Sequence, residues 1–132
     1  MPICSDRSIR VLFRGLLVLL LFSAGSGLAC AHAVVVGSSP GDNEVLTRAP
    51  DKVVLRFDAR IEKSLTRLSL TTSDGRTIQL PPPVNEDGEN PDRLVVPLPG
   101  LGPGHYILRY KVLSTDGHAT PGLLRFSVAA GP

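Results

Sequence analysis

Five stretches of this chain alternate apolar and polar residues with a period of two, and turn-forming residues separate them. In KVVLRFD, starting at Lys52, Val53, Leu55 and Phe57 fall on one face while Val54 and Arg56 fall on the other. TRLSLT from Thr66, RLVVPL from Arg93, HYILRYKVL from His105 and LLRFSVA from Leu123 behave similarly, with Tyr106, Leu108, Tyr110 and Val112 sharing a face opposite Arg109 and Lys111. SSPGDN, TSDGR, PPPVNEDGENPD and PGLGPGH lie between the runs. The 13 glycines and 12 prolines among 132 residues are placed as turns rather than as low-complexity sequence. No helical stripe of useful length follows residue 31. The pattern predicts an all-β fold, an immunoglobulin-like Greek-key β-sandwich of about seven antiparallel strands, forming one domain over residues 32–132. Pro81 to Pro91 is the least regular stretch and reads as a mobile surface loop.

The first 31 residues have a different character. Three arginines, Arg7, Arg10 and Arg14, precede the apolar run GLLVLLLF, and the small-residue stretch SAGSGLACA follows. These are the three regions of a secretory signal peptide, and the apolar run falls well short of the roughly 20 residues that span a bilayer. Ala29 and Ala31 form the A-x-A pattern, so cleavage is expected before His32, giving residues 1–31 as leader and a periplasmic product. Cys30 offers a second reading, lipidation after Leu28 and Ala29, although Gly27 stands where such motifs usually carry leucine. The choice decides whether His32 has a free amine. Of 14 basic and 12 acidic residues, Arg7, Arg10, Arg14 and Asp6 lie in the leader, so the remainder carries equal numbers of each sign. Such a balance argues against nucleic-acid binding and electrostatic membrane attachment. Both cysteines, Cys4 and Cys30, and the single methionine, Met1, also lie in the leader. The exported chain therefore has no disulfide and no soft sulfur ligand for copper(I).

Three histidines remain. His105 follows Pro103 and Gly104 at a strand entry and reads as a surface residue. His118 lies in Ser114-Thr115-Asp116-Gly117-His118, a turn between the last two strands, where Gly117 lets the backbone bend so that Asp116 and His118 face one point. Alone, that pair is an ordinary polar turn. A free amino-terminal His32 adds two nitrogens, its amine and the nearer ring nitrogen, that can chelate one ion. With His118 and Asp116 the donor set becomes N3O. Nitrogen and oxygen donors in a flattened arrangement suit copper(II), whereas zinc prefers a tetrahedron. The histidines must be neutral and the amine unprotonated, so binding should weaken in acid.

These residues resemble the periplasmic copper resistance proteins of the CopC type. The similarity rests on the histidine after the cleavage site, SSPGDNEVLTRAPDKVVLRFDARIE, LPGLGPGHYILRYKVLSTDGHATPG and the closing LLRFSV. The STDGH segment combined with an amino-terminal histidine is its specific part. The resemblance implies a seven-stranded Greek-key sandwich binding one copper(II) ion through His32, Asp116 and His118. It also implies an inner-membrane copper transporter of the CopD type as partner, and the chain is expected to be a monomer. Several positions depart from the family pattern. Val34 stands where many relatives have a second histidine. Phe57-Asp58-Ala59-Arg60 replaces FSEP, and Ala59 cannot supply the glutamate that some relatives place near the metal. Strand alternation turns Asp58 away from the site. Ala119 replaces the proline after the DGH histidine, and the methionine-rich copper(I) site of some members has no counterpart.

The expected function is copper(II) binding for resistance or homeostasis, by sequestration or delivery, without turnover. A copper monooxygenase would need an open position for oxygen, which Asp116 fills, and the domain leaves little surface for a polymer substrate. A metal-free sandwich used for protein contacts is the reading that follows if cleavage occurs elsewhere.

Overall fold

The computed structural model describes residues 32–84 and 90–131, all within the compact unit Ala31–Pro132. The expected leader, with Cys4 and Cys30, lies outside the described residues. Among the described residues eight strands form: β1 (Val35–Ser39), β2 (Glu44–Leu46), β3 (Lys52–Phe57), β4 (Arg67–Thr72), β5 (Thr77–Ile78), β6 (Arg93–Pro97), β7 (Gly104–Leu113) and β8 (Ala119–Val128). Among the described residues, a 3-10 turn, Lys63–Leu65, interrupts them. One sheet has the order β1-β3-β6 and the other β2-β8-β7-β4-β5. The expected all-β sandwich is the fold that forms.

Alternation decides what lies between the sheets. Val53, Leu55 and Phe57 of β3 are buried and meet Leu70 of β4, Tyr106, Leu108 and Val112 of β7, and Leu124, Phe126 and Val128 of β8. Burying each large apolar side chain is worth about 1.5–3 kcal/mol, and this shared core holds the sheets together without a disulfide. In β6, Leu94, Val95 and Val96 are all buried. Leu94 and Val96 join the central cluster, whereas Val95 bridges Val84, whose N–H donates to its carbonyl at 3.1 Å. Part of the segment expected as a free loop is therefore pinned to β6, because Val84 supplies an apolar residue and a donor at that sheet edge.

Strand β8 starts earlier than the alternation suggests. Ala119, Thr120, Pro121 and Gly122 pair with Leu113, Val112, Lys111 and Tyr110. Proline is tolerated because β2 pairs only with Phe126, Ser127 and Val128, so Pro121 lies where β8 is locally an edge. Gly122 is filled from the neighbouring strand: a Cβ there would sit 2.2 Å from the Tyr110 ring. That ring also makes an edge contact with Phe57, with centroids 6.1 Å apart.

One pairing is parallel rather than antiparallel, that of β2 with β8. The short link Pro40–Asn43 carries the chain from the edge of one sheet to the edge of the other. Asn43 adopts φ 63, a left-handed conformation that asparagine tolerates. Its N–H donates to the Arg125 carbonyl at 2.7 Å, while the Asp42 carboxylate accepts the Arg125 N–H at 2.9 Å. These contacts fix the path of the chain between β1 and β2.

Candidate metal centre

The approach to His32 is set by its two successors. Ala33 is buried in the core, 1% exposed, and leaves His32 and Val34 exposed on either side of it. Val34 is then held twice by Asp58, just past the end of β3. Its N–H donates to Asp58 Oδ1 at 2.7 Å, and its carbonyl accepts the Asp58 N–H at 2.9 Å. Strand alternation ceases to apply at Phe57, so the side chain of Asp58 is free to turn back to the amino-terminal arm.

From Asp58 the chain crosses to the second sheet, and the crossing also anchors the STDGH turn. The Thr115 N–H donates to the Arg60 carbonyl at 3.1 Å, Ile61 bridges Ser114, and the Glu62 N–H donates to the Leu113 carbonyl at 2.8 Å. The residues Asp58 to Glu62 thus grip the arm carrying His32 at one end and the turn carrying Asp116 and His118 at the other. Within the turn, Gly117 N–H donates to the Ser114 carbonyl at 2.9 Å, and Ser114 N–H donates to the His118 carbonyl at the same distance. Gly117 has φ +91 with open space where a Cβ would stand, so its backbone conformation, and not crowding, calls for glycine.

Polar contacts within the turn set its charge. The hydroxyl of Ser114, which is buried, donates to Asp116 Oδ1. Asp116 Oδ1 also accepts the His118 N–H at 3.3 Å, and Asp116 Oδ2 lies 3.2 Å from His118 Nδ1. The Ser114 hydrogen bond is the largest cause that holds the Asp116 carboxyl below its ordinary range; desolvation opposes it, and the contacts from His118 add to the lowering. The carboxylate is therefore fully ionised at neutral pH. The His32 and His118 rings lie 5.6 Å apart between centroids, tilted by 45°.

The fold thus brings His32 to His118, and Asp116 to His118. Among the described residues, no three His, Cys, Asp or Glu side chains are gathered into a preformed metal cage. The two imidazoles and the carboxylate nevertheless have the donor chemistry for a nitrogen- and oxygen-liking divalent ion, and the surface position admits one. A fourth donor from the main chain requires a free His32 amine, and in the uncleaved chain that nitrogen is an amide. His105 lies at the far end of β7, exposed, with Nδ1 2.7 Å from Ser127 Oγ. Two contributors escape a reading of the sequence alone. Strand parity points Asp58 away from the site; past the end of β3 its carboxylate meets the Val34 N–H, two residues from His32, as a support of the arm and not as a ligand. Ser114 carries a legible signal, a hydroxyl two residues before an aspartate, the spacing of a side-chain-capped turn.

Comparison with known proteins gives consistent matches. The family model described as CopC domain matches residues 35–129. Protein YobA of Escherichia coli K12 is 35% identical over 100 residues, covering 74% of this chain and 79% of that protein. Copper resistance protein C of Xanthomonas campestris pv. juglandis is 32% identical over 118 residues, covering 84% and 91%. The crystal structure of CopC from Methylosinus trichosporium OB3b superposes with a TM-score of 0.68 at 27% identity, covering 76% of this chain and 97% of that one.

Proposed function

The chain belongs to the CopC family, which includes copper resistance proteins, and on that premise we propose that it is a periplasmic copper(II)-binding protein that works after removal of residues 1–31. One ion is bound by the amine and ring nitrogen of His32 together with Asp116 and His118. The observation that carries this reading is the 5.6 Å approach of the His32 and His118 rings. These two residues lie at the start of the domain and in its last hairpin, and the fold has no packing need to bring two exposed imidazoles together.

Copper is cargo here, and the residues do the selecting. Asp116, ionised and next to His118, supplies negative charge that partly offsets the ion's own. The pairing of Asp116 Oδ2 with His118 Nδ1 orients the imidazole in the metal-free chain, and an incoming cation takes over the role of the proton between them. The crossing segment Asp58 to Glu62 supports both halves of the site, and copper entry draws the His32 arm and the STDGH turn, already held by that segment, onto one ion. An exposed site of this kind exchanges its ion with solvent or with a partner, and the expected partner is an inner-membrane copper transporter. Sequestration and delivery use the same ligands and differ in exchange rate.

Copper(II) titration of the exported protein tests the reading, followed by its visible and paramagnetic spectra. His118→Ala should abolish the one-to-one stoichiometry of tight binding. Unchanged stoichiometry and spectrum in that variant would remove His118 from the site.

A further inference from the structure

The outer face of the five-stranded sheet carries positive charge and no carboxylate on its three longest strands. Arg67 of β4 is directly opposite Lys111 of β7, Arg109 is two residues before Lys111 on the same face, and Arg125 of β8 is diagonal to Arg109. All four side chains are exposed. The remaining outward residues of these strands carry no carboxylate: Ser69, Thr71, Ile107 and Leu123 are uncharged side chains, and His105 lies at the far end of β7. Among the described residues none of the four cations forms an ion pair. Asp42 accepts the main-chain N–H of Arg125 at 2.9 Å and forms no ion pair with its guanidinium. Arg109 Nη1 donates to Thr71 Oγ1 at 3.1 Å, which ties one guanidinium to the neighbouring strand.

Folding does not favour this arrangement. Like charges directly opposite on neighbouring strands, with Cβ atoms about 4.5–5.5 Å apart, destabilise a sheet. The exported chain carries equal numbers of both signs, so carboxylates that could have been interleaved here are placed elsewhere. We propose that this face is a docking surface for an acidic, extended segment of a partner protein. Arg109 and Lys111 are separated by two residues of strand, about 6.6–6.8 Å, which is the repeat of alternate residues in any extended chain. Carboxylates on alternate residues of such a segment therefore fall in register with them, and Arg67 and Arg125 extend the stripe to the flanking strands. Arginine, three of the four cations, matches the two oxygens of a carboxylate with paired donors. A lipid surface is a poorer fit, because the face has no aromatic residue to insert at a membrane boundary. The stripe begins at Arg67 and Lys111, beside the hairpin carrying Asp116 and His118, so a docked partner would lie next to the candidate metal centre. The proposal does not depend on copper binding.

The test is a titration of the exported protein with a synthetic peptide of alternating glutamate and serine at low ionic strength. Backbone amide shifts and calorimetry provide the readout. Saturable binding is expected, with shifts on the outward residues of β4, β7 and β8 and an affinity that falls as salt is added. Arg109→Gln/Lys111→Gln should weaken it about tenfold, the order expected for two lost, partly solvated charge pairs. Arg48→Gln/Arg56→Gln, which removes as much charge elsewhere, should leave it unchanged. The single variant Arg109→Gln repeats the test with a smaller perturbation of the sheet. Absence of peptide binding, or equal weakening by both double variants, would overturn the proposal. Capture by phosphatidylglycerol-containing vesicles without binding to the peptide would also overturn it and assign the face to lipid.

Discussion

The Asp58 carboxylate accepts the Val34 N–H at 2.7 Å, and the Asp58 N–H donates back to the Val34 carbonyl at 2.9 Å. This two-point clamp lies two residues from His32 and at the start of the segment that also holds the STDGH turn. It links the beginning of the domain to its last hairpin through a crossing between sheets.

Removing the clamp should loosen the arm. Asp58→Ala is expected to cost about 1 kcal/mol of stability, the ordinary net worth of one hydrogen bond at an exposed position. If that ordering also contributes to metal retention, copper release should quicken about fivefold. Asp58→Asn keeps a carbonyl acceptor and should stay near wild type. Urea unfolding and stopped-flow transfer to a chelator provide the measurements, and equal behaviour of the alanine and wild-type proteins would exclude the clamp.

Ser114→Ala removes the first cause of the lowered Asp116 pKa. A carboxyl depressed in the folded state contributes stability that is present above its unfolded value, about 3.9, and is lost as the pH falls through the folded value below it. The variant should therefore shift the Asp116 titration upward, toward the ordinary aspartate value, and narrow that acid-side contribution. Carbon-detected NMR titration of the carboxyl checks the sign. An unchanged titration would assign the shift to His118 instead.

Gly122→Ala forces a methyl group into the Tyr110 ring, 2.2 Å from its nearest atoms. Displacing that ring from its edge contact with Phe57 should destabilise the sandwich by about 1–3 kcal/mol, the usual cost of overpacking. The urea midpoint reports it, and no change would mean that Tyr110 moves aside freely.

The long strands are legible in the sequence because one face of each is buried: alternation in β3 and β7 marks the core side chain by side chain. Shorter elements carry too few residues for a pattern, as in β2 and β5, and β1 contains a glycine and an irregular register between Val35 and Gly37. The first residues of β8 contain Pro121 and Gly122, ordinary turn signals. Tertiary context overrides them, because Tyr110 covers the glycine and no strand pairs on the far side of the proline. At the site, Asp116 and His118 are readable from a local turn with glycine between them. The approach of His32 to His118 depends on where two distant strands begin, and the role of Asp58 depends on β3 ending one residue before it. Neither is a local property of the sequence.

The central claim is that cleavage before His32 completes a copper(II) site, and its most direct test compares copper(II) affinity of two proteins. One begins at His32, verified by mass spectrometry, and the other carries one additional alanine before it. Converting the amine to an amide should weaken binding by more than the about 10–100-fold that loss of an outer-shell partner costs, and should change the copper spectrum. Equal affinity and identical spectra for the two proteins would contradict the account.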